Sequence, residues 1–451
     1  MSDLDAVLAH IDADFDNALD RLFQTVRLKS ISTDPAYAAE TRKCAEWHAA
    51  DLASIGFKAE VRDTPGHPIV LAKEHSAKGT KVLFYGHYDV QPADPLELWT
   101  DEPFTPVIVT LPDGSKEIRG RGASDDKGQL LTFVEACRAW KAVTGKLPIP
   151  ITVLLEGEEE SGGANLPGFL DSAKAELTAD VAMICDTNMW DKATPAITTS
   201  LRGLCAEEIF IHGSDRDLHS GFYGSAAVNP NHVLARIIAD LRDEGGRITI
   251  PGFYDGVPEP APELLKGWSK LGFSESAFLG EVGLSVPAGE KGRSVLEQTW
   301  SRPTCEVNGM SGGYTGDGFK TVIPAVASAK ISFRLVFDQD PHKIRAAFRD
   351  FVKARVPKDC RVEFTEFGSG RAVSFDVSAP AFQRTQRAMS DEWGREGAFV
   401  GGGGSIPVTT MIKEKLGLDV VMAGFGLSDD RIHSPNEKYS LTSFHKGIRS
   451  W

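Results

Sequence analysis

Apolar residues in the first part of the chain fall in short continuous runs, at Lys81–Gly86, Ile151–Leu155 and Val181–Cys185. Between the first two lies Gln129–Thr144, where Leu130, Val134, Cys137 and Trp140 or Lys141 recur at helical spacing. Unbroken apolar strands alternating with helices predict a parallel sheet covered on both faces. The middle of the chain has a different texture. Asn229–Glu244 reads as an amphipathic helix carrying Val233, Ile237 and Leu241. Ala329–Phe337 alternates with period two, setting Ile331, Phe333, Leu335 and Phe337 against Lys330, Ser332 and Arg334. His342–Val356 is a second amphipathic helix, and a short strand follows near Arg361–Phe367. After about Ala379 the first texture returns, with a helix from Phe382 and the apolar run Val420–Gly426. The pattern predicts an α/β domain with a central, mostly parallel sheet, formed by residues 1–199 and 380–451. An α+β domain, residues 200–379, is inserted into it.

Length agrees with two domains, because 451 residues exceed what one core ordinarily serves. With 49 basic and 63 acidic side chains the net charge is −14, which argues against nucleic acid or an anionic membrane as the partner. No apolar run is long enough to span a bilayer. The N-terminal stretch reads as an acidic surface helix with Leu4, Val7, Ile11 and Phe15 on one face, without the features of a signal peptide. Six cysteines without a CxxC pair, most of them in apolar runs, predict buried free thiols and a cytoplasmic protein.

Chemistry in open parallel sheets gathers beyond the carboxyl ends of the strands. Four apolar runs here exit into acids or histidine: His87 and Asp89; Glu156, Glu158, Glu159 and Glu160; Asp186; and Asp429, Asp430 and His433. A fifth acidic segment, Asp125-Asp126, precedes the Gln129 helix. Any one of these is an ordinary cap, turn or solvated loop. Clustered carboxylates repel, however, so a shared site needs cations. Two histidines with several carboxylates suit zinc, manganese or cobalt, and a bridging carboxylate holds two such ions about 3.5–4 Å apart. His87 and Asp89 point to the same side of an extended segment, so Asp89 can orient the imidazole. Spacing does not say which glutamate is base and which is ligand. Gly309–Gly313 matches GxSxG but lacks the strand–elbow–helix setting of a serine hydrolase, and Gly401–Gly404 lacks the Lys-Ser/Thr of a phosphate loop.

These segments resemble the M20 family of co-catalytic metallopeptidases, and its carnosinase-like branch most closely. The likeness rests on GHYDVQP (Gly86–Pro92), RGASDDKGQ (Arg121–Gln129), EGEEESGG (Glu156–Gly163), Cys185-Asp186-Thr187 and DLHSGFYG (Asp217–Gly224). It continues in KTVIP (Lys320–Pro324), FRLV (Phe333–Val336), GGSIPVT (Gly403–Thr409) and IHSPNEK (Ile432–Lys438). The resemblance implies a zinc-peptidase-like catalytic domain interrupted by a lid that pairs chains as a homodimer. It implies two divalent ions, zinc first with manganese or cobalt as alternatives. His87 and Asp186 would hold one ion, Glu160 and His433 the other, with Asp125 bridging and a cis peptide following it. Glu159 would be the general base, Asp89 the partner of His87 and His219 an oxyanion stabiliser. Arg334, Gly404 and Ser405 would hold a substrate carboxylate. The implied reaction is hydrolysis of an amide bond in a small peptide. One departure bears on specificity: the family's Arg-Glu before Gly-Gly-Ser-Ile-Pro is Gly401-Gly402 here, so an N-acyl or N-carbamoyl amino acid is the alternative substrate.

Overall fold

The runs read as parallel strands do lie side by side. Ile151–Glu156, Val82–His87, Val181–Ile184 and Val420–Met422 are neighbours in that order and pair in parallel. The first two are buried along their whole length, as strands covered on both faces require. The protein, seen here in a computed structural model, is described at residues 2–404 and 406–451. It comprises two compact units: Met1–Thr199 with Phe375–Val400 and Met411–Trp451, and Ser200–Ser374 with Gly401–Thr410. The second boundary thus lies at 374/375 and not 379/380, and Gly401–Thr410 groups with the second unit, not with the C-terminal part of the first.

In the first unit the flanks of the sheet are antiparallel. Ile69–Glu74 pairs with Ile151–Glu156, Lys58–Arg62 pairs with Ile69–Glu74, and Ala196–Leu201 meets Val420–Met422. The nine-stranded sheet is therefore mixed, with its parallel character confined to the centre. The last central strand stops at Met422, short of the apolar run that suggested it. The backbone there passes so close to a neighbour that a Cβ on Gly424 would collide with the Thr187 carbonyl. The N-terminal helix, Asp3–Val26, starts from a Ser2/Asp5 capping box. It buries Val7, Ile11, Ala18, Leu22 and Val26. Leu4, expected on the same face as Val7 and Ile11, is 52% exposed in the first turn of the helix, which begins one residue before it. The Lys127–Thr144 helix packs against it. The buried Lys127 Nζ donates to Thr25 O (2.9 Å) and Leu28 O (2.7 Å), tying the two helices where the acidic segment ends.

The second unit carries a four-stranded antiparallel sheet in the order Thr304–Gly312, Val326–Leu335, Gly203–His212, Arg361–Gly370. The Pro230–Ala239 and Pro341–Lys353 helices pack on it. Each begins with a side-chain cap, Asn229 or Asp340, followed by proline at the first helical position. Cys205, Ile209, Ile211, Ile331, Phe333, Leu335, Leu234, Ile237 and Phe348 form the core. Arg334 lies on the opposite face of its strand, as the alternation predicts. Two expected ends shift. The first helix stops at Ala239, although Leu241 is buried, and Phe337 lies beyond its strand in a turn with φ of 51°. The six cysteines are free; five are buried and Cys360 is half-buried. No helix among the described residues is long and apolar enough to cross a membrane.

Behind the first unit's sheet, His48 is buried with Nε2 3.1 Å from Thr25 Oγ1, and burial with nearby Lys127 pushes its pKa from 6.5 down to about 3. A histidine neutral when folded but protonated when unfolded gives stability that is present above pH 6.5 and is lost as pH falls toward 3. Chemical denaturation between about pH 7 and 4 should therefore show a steeper loss in the parent than in His48→Gln, by up to about 1.4 kcal/mol per pH unit.

Candidate metal centre

The site forms where the central strands end. His87 closes the Val82–His87 strand with a fully buried imidazole. Its Nδ1 lies 3.1 Å from the carbonyl oxygen of Asp89 and 3.4 Å from Asp89 Oδ1, so the Nδ1 proton is held on that side. Nε2 is thereby turned toward Asp125 Oδ1 (3.1 Å) and Asp186 Oδ2 (3.7 Å). The other oxygen of Asp125 is 2.9 Å from His433 Nε2, which is also 3.2 Å from Glu160 Oε2. Two groups result, His87–Asp125–Asp186 and Asp125–Glu160–His433, with the candidate ligand atoms of each within 4.8 Å of one another. Asp125 belongs to both. The Asp125–Asp126 peptide bond is cis.

Charge shows what the cluster is for. Asp125, Glu159, Glu160 and Asp186 crowd together, and among the described residues none makes an ion pair with lysine or arginine. Carboxylate neighbours drive the imidazoles toward the charged form: Asp125 and Glu160 raise His433 to about 10. His87 is also driven well up by Asp125, Asp186 and Asp89, against the effect of its burial. Burial, reinforced by Asp186 and Glu160, lifts Glu159 to about 7. A mixed imidazole–carboxylate set with this excess of negative charge fits divalent cations such as zinc.

The four glutamates after Ile151–Glu156 separate by what they bond. Glu156 accepts from Tyr85 OH. Glu158 accepts from the His67 and Asn165 amides and from Asn165 Nδ2. Glu160 joins the second ligand group. Glu159 alone of the four has no hydrogen-bond partner for its carboxylate among the described residues, and the charges of His87, Asp186 and Asp89 all act on it.

The family model for peptidase family M20/M25/M40 matches residues 83–451. The chain belongs to that family. Its carnosinase-like branch is the nearer kin of this M20 peptidase. The Cys-Gly metallodipeptidase of Schizosaccharomyces pombe is 30% identical over 465 residues, covering 99% of this chain and 96% of its own. The human Beta-Ala-His dipeptidase is 28% identical, covering 99% of this chain and 91% of its own. The solved M20 metallo-carboxypeptidase of Sulfolobus solfataricus superposes with a TM-score of 0.79 at 30% identity, over 96% of this chain and 97% of its own. The protein is a metal-dependent hydrolase of peptide bonds.

The remaining residues expected at the site lie in the second unit. His219 is exposed in a two-residue strand paired with Val322–Ile323, and its Nδ1 accepts from the Gly221 amide (3.0 Å). Arg334 stands between Thr304 and Leu204 in the ladder. Gly404 O accepts from the Arg202 amide (3.2 Å). Ser405 lies outside the described residues.

Sequence reasoning passed over several supports of the M20 site. Ser32 Oγ donates to Asp89 Oδ2 (2.6 Å), and the Glu160 amide donates to the same oxygen (3.0 Å). Gln91 Nε2 donates to Glu160 Oε2 (2.8 Å). Glu437 does most. Fully buried, it accepts from the amides of Ser124 (2.9 Å) and Asp125 (3.0 Å) through one oxygen, and from Gly122 N (2.8 Å) and Arg121 Nη1 (2.9 Å) through the other. Its place four residues after His433 was visible in the sequence; its four partners, more than three hundred positions away, were not. In Glu437→Gln the amide nitrogen would face a donor in either orientation. Affinity for metal, measured by competition with a chromophoric chelator, should fall about 10-fold or more. Unchanged affinity would mean that the Asp125 segment holds its own shape.

Proposed function

We propose that this M20 peptidase hydrolyses dipeptides carrying a free carboxylate, using two zinc ions, with manganese or cobalt able to replace them. The observation that carries the reading is the pair of ligand groups sharing Asp125, each with one histidine and one further carboxylate. His87 and Asp186 would hold one ion, Glu160 and His433 the other, with Asp125 shared between them. Bound there, the ions supply Lewis acidity toward the attacking water and the scissile carbonyl. Glu159, uncommitted to other partners and lifted toward neutrality, takes the water's proton and passes it to the leaving amine. Asp89 keeps the His87 proton on Nδ1, leaving Nε2 as ligand.

The first unit is then catalytic and the second a lid, through which two chains pair. Phe222 and Phe319, 80% and 90% exposed in the second unit, support an interface on that unit. His219 stabilises the oxyanion, and Arg334, with Gly404 and Ser405, receives the substrate carboxylate. Free thiols throughout are in keeping with the cytoplasm. The N-acyl or N-carbamoyl amino-acid reading rested on Gly401-Gly402. Part of that departure has a packing cause, because a Cβ at Gly401 would collide with Trp300 Cβ.

Glu159→Gln should lower kcat at least about 100-fold while metal content stays at the parent level. Full activity in the variant would remove Glu159 from the mechanism. A panel of Cys-Gly, β-Ala-His and their N-acetylated forms, with zinc, manganese and cobalt in turn, should show turnover of the free dipeptides and little of the blocked ones.

A further inference from the structure

Within the second unit, the sheet face away from the two helices borders a cavity of about 500 Å³. Four arginines line it, Arg202, Arg242, Arg302 and Arg334, against two carboxylates, Glu290 and Glu306. Both carboxylates are engaged. Glu306 pairs with Arg242 (2.5 Å) and Glu290 with Arg302 (2.5 Å). Arg202 is different. It is half-buried, and among the described residues it makes no ion pair. Its side-chain hydrogen bond goes from Nε to the carbonyl of Gly403 (3.0 Å), a neutral acceptor that leaves the charge in place. Burial, joined by the like charge of Arg334 and only partly offset by Glu306, which is already paired with Arg242, pushes Arg202 down to about 10, still protonated at neutral pH.

A half-buried guanidinium beside a second one, its nearby carboxylate Glu306 already paired with Arg242, is costly to keep unless something anionic enters. Arg202 is also built into the segment that the function reading assigns to the substrate carboxylate, since its amide and Nε fix the carbonyls of Gly404 and Gly403. Resting on that reading, in which Arg334 takes the terminal carboxylate, we propose that Arg202 receives a second carboxylate and that the enzyme favours dipeptides whose C-terminal residue is glutamate or aspartate. The volume admits such a side chain. Planar, fork-shaped donors suit two carboxylates presented on one residue.

The test compares Ala-Glu with Ala-Gln, which match in size and differ in charge, on the metal-loaded full chain. The kcat/KM ratio, Glu over Gln, should be about 10 or more, corresponding to about 1.4 kcal/mol. It should fall toward one in Arg202→Gln, whatever the change in absolute rates, and stay well above one in Arg202→Lys. Raised ionic strength should shrink the parent's ratio. A parent ratio of one or less overturns the proposal, as does a ratio that survives in Arg202→Gln. Should Arg202→Gln fail to fold, the parent ratio and Arg202→Lys decide. Failure to cleave any free dipeptide would instead sink the function reading, and the two failures are told apart by Ala-Gln turnover itself.

Discussion

Asp125 stands between two imidazoles, one oxygen 3.1 Å from His87 Nε2 and the other 2.9 Å from His433 Nε2. The site depends on that double engagement. Four carboxylates gathered at the ends of buried strands repel one another, and burial raises the energy of each charged form. With no lysine or arginine paired to them among the described residues, positive charge has to come from the imidazoles or from bound cations. A site assembled this way is a poor piece of structural packing and a good metal trap, since every ligand gains by the arrival of a divalent ion.

Holding such a cluster together requires the surrounding backbone to be tied down by groups that are themselves neutral or balanced. Glu437 and Arg121 do this from one side. Arg121 also donates to Pro92 O and Ser434 O, so one guanidinium joins the segments around Asp89, Asp125 and His433. Lys127 anchors the following helix through two carbonyls. Gln129 Oε1 accepts from the amides of Phe425 and Gly426, linking that helix to the end of the last central strand. The segments carrying Asp125, Glu160 and His433 are thus positioned by bonds to distant parts of the chain, which reduces the entropy lost when a metal binds.

Charge is distributed differently in the two units. Acids crowd the strand ends of the first, whereas the cavity of the second has more arginines than carboxylates. One collects cations and the other is suited to anions.

The sequence by itself determined a good deal. Continuous apolar runs announced the buried parallel strands. Period-two alternation placed Arg334 away from the core of its strand. Acids and histidines at strand ends marked the residues that the structure gathers into two candidate ligand groups, because side chains that leave a parallel sheet at one edge converge there by topology alone. Local pattern says less about where elements stop. Phe337 fell outside its strand since termination depends on caps and neighbours, Leu4 stayed in its helix but exposed, and the flanking strands turned antiparallel because partners, not periodicity, set direction. Spacing left the four glutamates alike, and the tertiary structure is what separates their hydrogen-bond partners. Glu156, Glu158 and Glu160 are occupied by Tyr85, Asn165 and His433, residues remote in sequence or without local period. It likewise gave Glu437 its four donors and Arg202 its arginine neighbour. Hydrogen bonds and Coulomb interactions act through space at a few ångströms, and a linear pattern carries no record of which distant residues folding brings within that range.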